Sequence, residues 1–215
     1  MKITAISGGM LPTNCYLLTD EATGKTAVID PGFDSPELVD AINSIGVDKV
    51  SAILLTHGHF DHILGVNKVK SLTNAPVYLH ANDILLAKDN SLNLADMFPS
   101  LKLEPFSVDV LLNDEDTIDV GNLKITVIHT PGHTMGSCCY RVEDAIFTGD
   151  TLMECSAGRT DFPTGSYPKL LSSLEKLKNL KGDYHLYPGH GEQSTLEYER
   201  KNNPFLRDRA DDNHY

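Results

Sequence analysis

Residues 56–62 read Thr56-His57-Gly58-His59-Phe60-Asp61-His62, and they follow a run over residues 50–55 that is apolar except for Ser51. Such a short run, bounded by polar residues, is the pattern of a buried strand. Imidazole and carboxylate are good ligands for zinc and related divalent ions. His57 and His59 leave the strand end one residue apart, so both rings can turn toward one ion. Asp61 and His62 sit where the next helix begins and can turn toward a second. Residues 50–62 therefore predict a strand–loop–helix unit with a metal site at its turn.

The same arrangement recurs downstream. Residues 127–128 lead into His129-Thr130-Pro131-Gly132-His133, residues 146–147 into Thr148-Gly149-Asp150, and residues 186–187 into Pro188-Gly189-His190. If the four strands are neighbours, the four loops meet at one sheet edge. Glycine permits the sharp turns and close approach this needs, and rigid strands position residues carried on loops. Together the loops supply seven candidate metal ligands: His57, His59, Asp61, His62, His133, Asp150 and His190. Seven suit two ions that share one carboxylate and a bridging water.

The rest of the chain alternates strands and helices. Strands are expected at 2–7, 15–19, 26–30 and 77–80, near Ile118, and at 123–129, 138–141, 145–147 and 185–187. A helix begins at Ser35 and Pro36, buries Leu38, Ile42 and Ile45, and closes at Gly46. Others are expected at 62–72 and near 83–88. A further helix carries Leu170, Leu171, Leu174, Leu177 and Leu180, with Ser166 and Pro168 near its start. Residues 89–106, with Pro99 and Pro105, read as a loop or short helix, and a tail begins at Gln193.

The 215 residues read as a single domain, 1–215, with 40% hydrophobic and 22% charged residues, an ordinary globular composition. The formal net charge is −12, and no dense basic run is present, the closest being Arg200-Lys201 and Arg207/Arg209 near the C-terminus. Phosphate backbones demand Lys and Arg, so nucleic acid is not the expected partner. None of Cys15, Cys138, Cys139 and Cys155 forms a CxxC pair, which favours reduced thiols over a disulfide framework. No stretch resembles a signal peptide, and no apolar run approaches the roughly 20 residues of a membrane span. A cytoplasmic protein without a membrane partner is expected.

The ordered set of residues 56–62, His133, Asp150 and His190 resembles the metallo-β-lactamase superfamily. The resemblance implies an α/β fold: an αββα sandwich of two mixed β-sheets flanked by helices, with metals at one edge. It assigns His57, His59 and His133 to a first ion, Asp61, His62 and His190 to a second, and Asp150 to both. Lactamases of the best-known type place Cys where Asp150 stands, which points to a hydrolase outside that group. Within the superfamily the chain is most similar to glyoxalase II, which hydrolyses hydroxyacylglutathione, and to its short bacterial relatives. The segments Asn14-Cys15-Tyr16, Asp30-Pro31-Gly32, Gly158-Arg159-Thr160-Asp161 and Pro188-Gly189-His190-Gly191 carry that likeness. Only about 25 residues follow His190, too few for the helical glutathione-gripping domain of the long type.

The implied activity is hydrolysis of a small thioester or ester by a hydroxide bridging two divalent ions, zinc first, with iron or manganese also suited. Asp61 would ligate and orient that hydroxide. His129 and His185 are candidates to orient ligands or to be ordinary buried histidines. Arg159 is a candidate to meet a substrate carboxylate or to hold an Asp in place. Two alternatives share the fold: a persulfide dioxygenase with one iron on His57, His133 and Asp150, and a lactonase or other ester hydrolase. A metal-binding module without catalysis is the alternative outside enzymes.

Overall fold

Successive side chains of a strand point to opposite faces, and that parity sorts the apolar residues into three cores. The computed structural model describes residues 1–101 and 103–207; residues 208–215, with Arg209, lie outside the described residues. One sheet runs in the order β1 (Lys2–Gly8), β2 (Thr13–Thr19), β3 (Thr26–Ile29), β4 (Val50–Leu54), β5 (Val77–His80), β6 (Val110–Leu112). Its first three strands are antiparallel and its last four parallel. The other contains β7 (Thr117–Val120), β8 (Leu123–His129), β9 (Cys138–Val142), β10 (Ala145–Gly149), β13 (His185–Pro188) and β14 (Ser194–Thr195). There β13 runs parallel to β10, and the remaining neighbours are antiparallel. Between β10 and β13 the chain makes a small hairpin, β11 (Leu152–Met153) and β12 (Ser156–Ala157).

Ala52 and Leu54 of β4 meet Val127, Tyr140 and Phe147 in the core between the sheets. Their neighbour Ile53 points the other way, onto Leu38 and Ile42 of α1 (Pro36–Ile45) and Val66 and Val69 of α3 (Val66–Thr73). On the far side, Ile128, Cys139 and Ile146 pack on Leu170, Leu174 and Leu177 of α4 (Tyr167–Lys178) and on Leu196 of α5 (Leu196–Asn202). Two mixed sheets face each other with helices outside, as expected. Central strands covered on both faces read as apolar runs rather than as alternations.

Several local expectations are corrected. The helix expected at 62–72 is two: a single turn, α2 (Phe60–Ile63), and then α3. The chain breaks at Gly65 because the 31–33 loop crosses it. The Gly65 amide donates to the Pro31 carbonyl at 2.7 Å, and a Cβ there would stand 2.2 Å from the Phe33 carbonyl oxygen. The helix expected near 83–88 is only a 3-10 turn, Ala81–Asp83, followed by turns. Asp83 faces inward and is fully buried. The strand β6 is too short to show a period. The tail from Gln193 is ordered as β14 and α5, with Thr195 capping the Tyr198 amide and Leu196 and Leu206 buried. The four ligand loops do not leave one sheet: β4 belongs to the first sheet, and β8, β10 and β13 belong to the second.

Hydrogen bonds tie the two sheets together at the edge where those loops meet. The Cys138 amide donates to the Thr56 carbonyl at 2.9 Å, and the Asn14 amide to the Gly189 carbonyl at 2.8 Å. The Tyr140 hydroxyl donates to the Leu55 carbonyl, and the Tyr16 hydroxyl to the Pro188 carbonyl, both at 2.7 Å. The four cysteines are free thiols, and only Cys155 is exposed. Among the described residues, no helix is long and apolar enough to cross a membrane. Replacing Tyr140 by Phe leaves the fold intact but removes a buried cross-sheet bond. It should cost about 1.5 kcal/mol in urea unfolding, and an unchanged midpoint would show that this tie does not contribute.

Candidate metal centre

At the end of β4 the backbone delivers His57, with Nδ1 3.2 Å from the Thr56 hydroxyl and Nε2 buried without a partner. His59 follows one residue later, and its Nδ1 lies 2.9 Å from His133 Nε2, carried by the loop after β8. These three side chains form one group of converging nitrogens. A second group comprises Asp61 and His62 of α2 and His190 after β13. His190 Nε2 stands 3.2 Å from Asp61 Oδ2 and 3.3 Å from His62 Nε2. Asp150, after β10, faces both groups. Its Oδ1 is 3.3 Å from His62 Nε2, and its Oδ2 is 3.5 Å from His133 Nε2 and 3.6 Å from His190 Nε2. The structure thus brings together all seven residues singled out in the sequence.

An outer ring of acceptors fixes how these rings point. His62 Nδ1 is 2.9 Å from Asp30 Oδ2, His133 Nδ1 is 2.8 Å from the Arg159 carbonyl, and His190 Nδ1 is 2.7 Å from the Pro12 carbonyl. A carboxylate or carbonyl on one ring nitrogen makes that nitrogen the donor and turns the other inward as a ligand. Asp30 also accepts the Thr56 amide at 2.8 Å and its hydroxyl at 2.6 Å. It does so with φ +49°, a left-handed backbone that is costly for Asp and is held by these bonds. Asp83 joins two ligand loops, accepting from the Gly58 amide (3.0 Å), the Thr134 hydroxyl (2.7 Å) and the Gly136 amide (2.6 Å). Gly189 passes so close that a Cβ would sit 2.4 Å from Asp150 Oδ1.

Asp30 and Asp83 were not foreseen as site residues. Asp30 lies in a quoted motif, but nothing local reveals that its carboxylate reaches His62; Asp83 carries no motif at all. His129 does not orient a ligand. Its ring stacks on His80, with centroids 3.9 Å apart. His185 occupies the exposed start of β13. Arg159 takes the second of its expected roles, holding Asp161 through two bonds of 2.7 and 2.6 Å. Its side chain lines the cleft, and its carbonyl orients His133.

Do these residues fit a pair of cations? His57 Nε2 and Asp150 Oδ1 are buried without hydrogen-bond partners, which is costly unless something else satisfies them. Converging nitrogen and carboxylate donors suit zinc, iron or manganese. The charges are also sorted. Burial, reinforced by the neighbouring histidines, pushes His57 well below its ordinary range and His59 down to about 3. Burial acts the same way on His62, but Asp150, Asp30 and Asp61 outweigh it and hold His62 well above its ordinary range. His190 is raised against burial by Asp61 and Asp150. Burial alone would raise Asp150 and Asp61, but the histidines around them keep both carboxyls low. The set fits a dinuclear His/Asp centre. Five of its members, His59, Asp61, His133, Asp150 and His190, open onto a cleft of about 800 Å³.

A proton linkage follows. Burial and the neighbouring histidines favour the neutral forms of His57 and His59, whereas the carboxylates around His62 and His190 favour protonated forms whose protons a cation must displace. Loading metal-free protein with a divalent ion should release protons, and affinity should fall as pH falls. Calorimetry in buffers of different ionisation enthalpy measures the release; identical heats in all buffers would contradict it.

Comparison with known proteins agrees with this geometry. The Metallo-beta-lactamase superfamily profile matches residues 8–190. The probable metallo-hydrolase YqgX of Bacillus subtilis is 34% identical, over 96% of this chain and 98% of its own. The hydroxyacylglutathione hydrolase GloC of Haemophilus influenzae is 30% identical, over 98% and 100%. Among solved structures, the BLEG-1 B3 metallo-beta-lactamase superposes with a TM-score of 0.89 at 34% identity, covering 96% of this chain and all of its own. TTHA1623 in a di-iron-bound form gives 0.83 at 32%, covering 94% and 100%. ETHE1 from Myxococcus xanthus gives 0.77 at 29%, covering 95% and 84%. With a family match spanning most of the chain and the His/Asp cluster gathered at the sandwich edge, this chain belongs to the metallo-β-lactamase superfamily.

Proposed function

We propose that the chain, one domain over 1–215, hydrolyses small thioesters, hydroxyacylglutathione being one candidate of that class. His57, His59 and His133 would hold one divalent ion, and Asp61, His62 and His190 a second, with Asp150 serving both. Bound there, such ions, zinc in our assignment, would lower the pKa of a bound water and polarise a substrate carbonyl. The protein's own part is positioning. Asp61, kept ionised by His62 and His190, faces the cleft and is placed to accept a hydrogen bond from the attacking water. Asp30 and the carbonyls of Pro12 and Arg159 keep the imidazoles from rotating.

One observation favours a thioester over an ester. Among the described residues lining the cleft, no side chain apart from metal ligands and Arg159 can donate a proton to a leaving group. A thiolate leaves without such help, whereas an alkoxide gains much from it. The relationship to the Haemophilus hydroxyacylglutathione hydrolase supports the same reading. The assigned partner is a small molecule in the cytoplasm, with no nucleic acid or membrane.

A second reading rests on Gly158-Arg159-Thr160-Asp161 and on the likeness to ETHE1: a persulfide dioxygenase using one iron. Metal analysis with a panel of thioesters, a lactone, a β-lactam and a persulfide separates the two. Two ions per chain with thiol release support the hydrolase; one iron with oxygen uptake supports the dioxygenase. His59→Ala should lower both ion content and thioesterase kcat/KM, the latter by about 100-fold or more. Full metal content and activity in that variant would sink the assignment.

A further inference from the structure

Beyond the ligands, the cleft is apolar. Leu11, Leu94, Met97, Phe98, Met153 and Phe162 face it from four separate stretches of chain. Large apolar side chains are rarely gathered in the open without a use, yet Leu11 is 42% and Met97 61% exposed. The aromatic rings among them are held in place. Phe98 packs on Phe60 with centroids 4.8 Å apart, and Phe162 meets the His59 ring edge-on at 5.9 Å. The apolar wall therefore begins directly beside a metal-ligand imidazole.

Charge tells the complementary story. Among the described residues, Arg159 is the one Lys or Arg in the lining of this cleft. Its guanidinium edge, Nε and Nη2, is engaged by Asp161, and its central carbon stands over the Phe162 ring at 4.0 Å from the centroid. It supports the apolar wall, and its charge is already matched. Among the described lining residues, a carrier thiol bearing carboxylates would meet only a cation already paired with Asp161, and the chain's net charge of −12 repels anions further.

We propose that the cleft selects its substrate through an unbranched apolar acyl group lying along Phe162, Phe98 and Met97, and not through carboxylates of the thiol carrier. The hydrolytic half of this assignment rests on the thioester reading above; the recognition half rests on the cleft walls alone.

Two ladders on the metal-loaded protein test the two halves separately. The first measures binding of non-hydrolysable oxoalkyl thioethers of N-acetylcysteamine with chains matching acetyl, butyryl, hexanoyl and octanoyl. The second measures kcat/KM for the corresponding thioesters, and for lactoyl and hexanoyl glutathione. Each buried methylene should improve both quantities about threefold through hexanoyl, and hexanoyl glutathione should exceed lactoyl glutathione. Phe162→Ala should flatten both ladders. Met97→Ser, at an exposed position where folding is not at stake, should lower their slope. A binding ladder without turnover of any thioester supports the apolar assignment and refutes the thioester chemistry. Affinity independent of chain length, or lactoyl preferred over hexanoyl on the same carrier, overturns the proposal.

Discussion

Two imidazole nitrogens, His59 Nδ1 and His133 Nε2, stand 2.9 Å apart at the edge of a β-sandwich. His133 is held by the Arg159 carbonyl, and His57 beside it presents a nitrogen with no partner at all. Burying such groups together is unfavourable unless positive charge sits between them and the neighbouring carboxylates. That electrostatic debt, left open at the centre and closed everywhere around it, is the constraint on which the rest of the architecture depends. Asp30 accepts a left-handed backbone to reach His62 and Thr56, and Asp83 is buried to tie the Gly58 and Gly136 turns.

The sandwich supplies the rigidity this requires. One sheet brings His57, His59, Asp61 and His62; the other brings His133, Asp150 and His190. The centre can form only if the two sheets keep their relative position. Bonds from Tyr140 to the Leu55 carbonyl and from Asn14 and Tyr16 to the 188–191 loop act at the edge where that position matters most. They also give a structural purpose to Asn14-Cys15-Tyr16: Asn14 and Tyr16 reach the loop bearing His190, while Cys15 points the other way, into the core under the helices. The cleft then distributes its roles spatially, with polar chemistry at the floor and apolar surface on the walls.

Much of this was legible in the sequence because it is local. The cluster at 56–62 sits on one strand end, and the repeated strand–loop context made His133, Asp150 and His190 readable as its companions. What could not be read required knowledge of which sheet each strand joins. An apolar run buried on both faces looks the same in either sheet, so the four loops were placed on one edge when they come from two. Asp30 and Asp83 act at sequence separations of 25 residues or more, through single carboxylates that no period or spacing marks. The segment after Gln193 offers few apolar positions, and its order comes from Leu196 and Leu206 docking under α4. For Arg159 the sequence leaves two roles open, meeting a substrate carboxylate or holding an Asp, and only the folded loop shows it paired with the exposed Asp161.

The central claim is that seven side chains hold two cations with Asp150 between them. Anomalous diffraction from metal-loaded crystals, recorded at the absorption edge of the bound element, tests it most directly. The account predicts two peaks per chain, one among His57, His59 and His133 and one among Asp61, His62 and His190, with the Asp150 carboxylate touching both. A single peak, with Asp61 and His190 away from any ion, would contradict it.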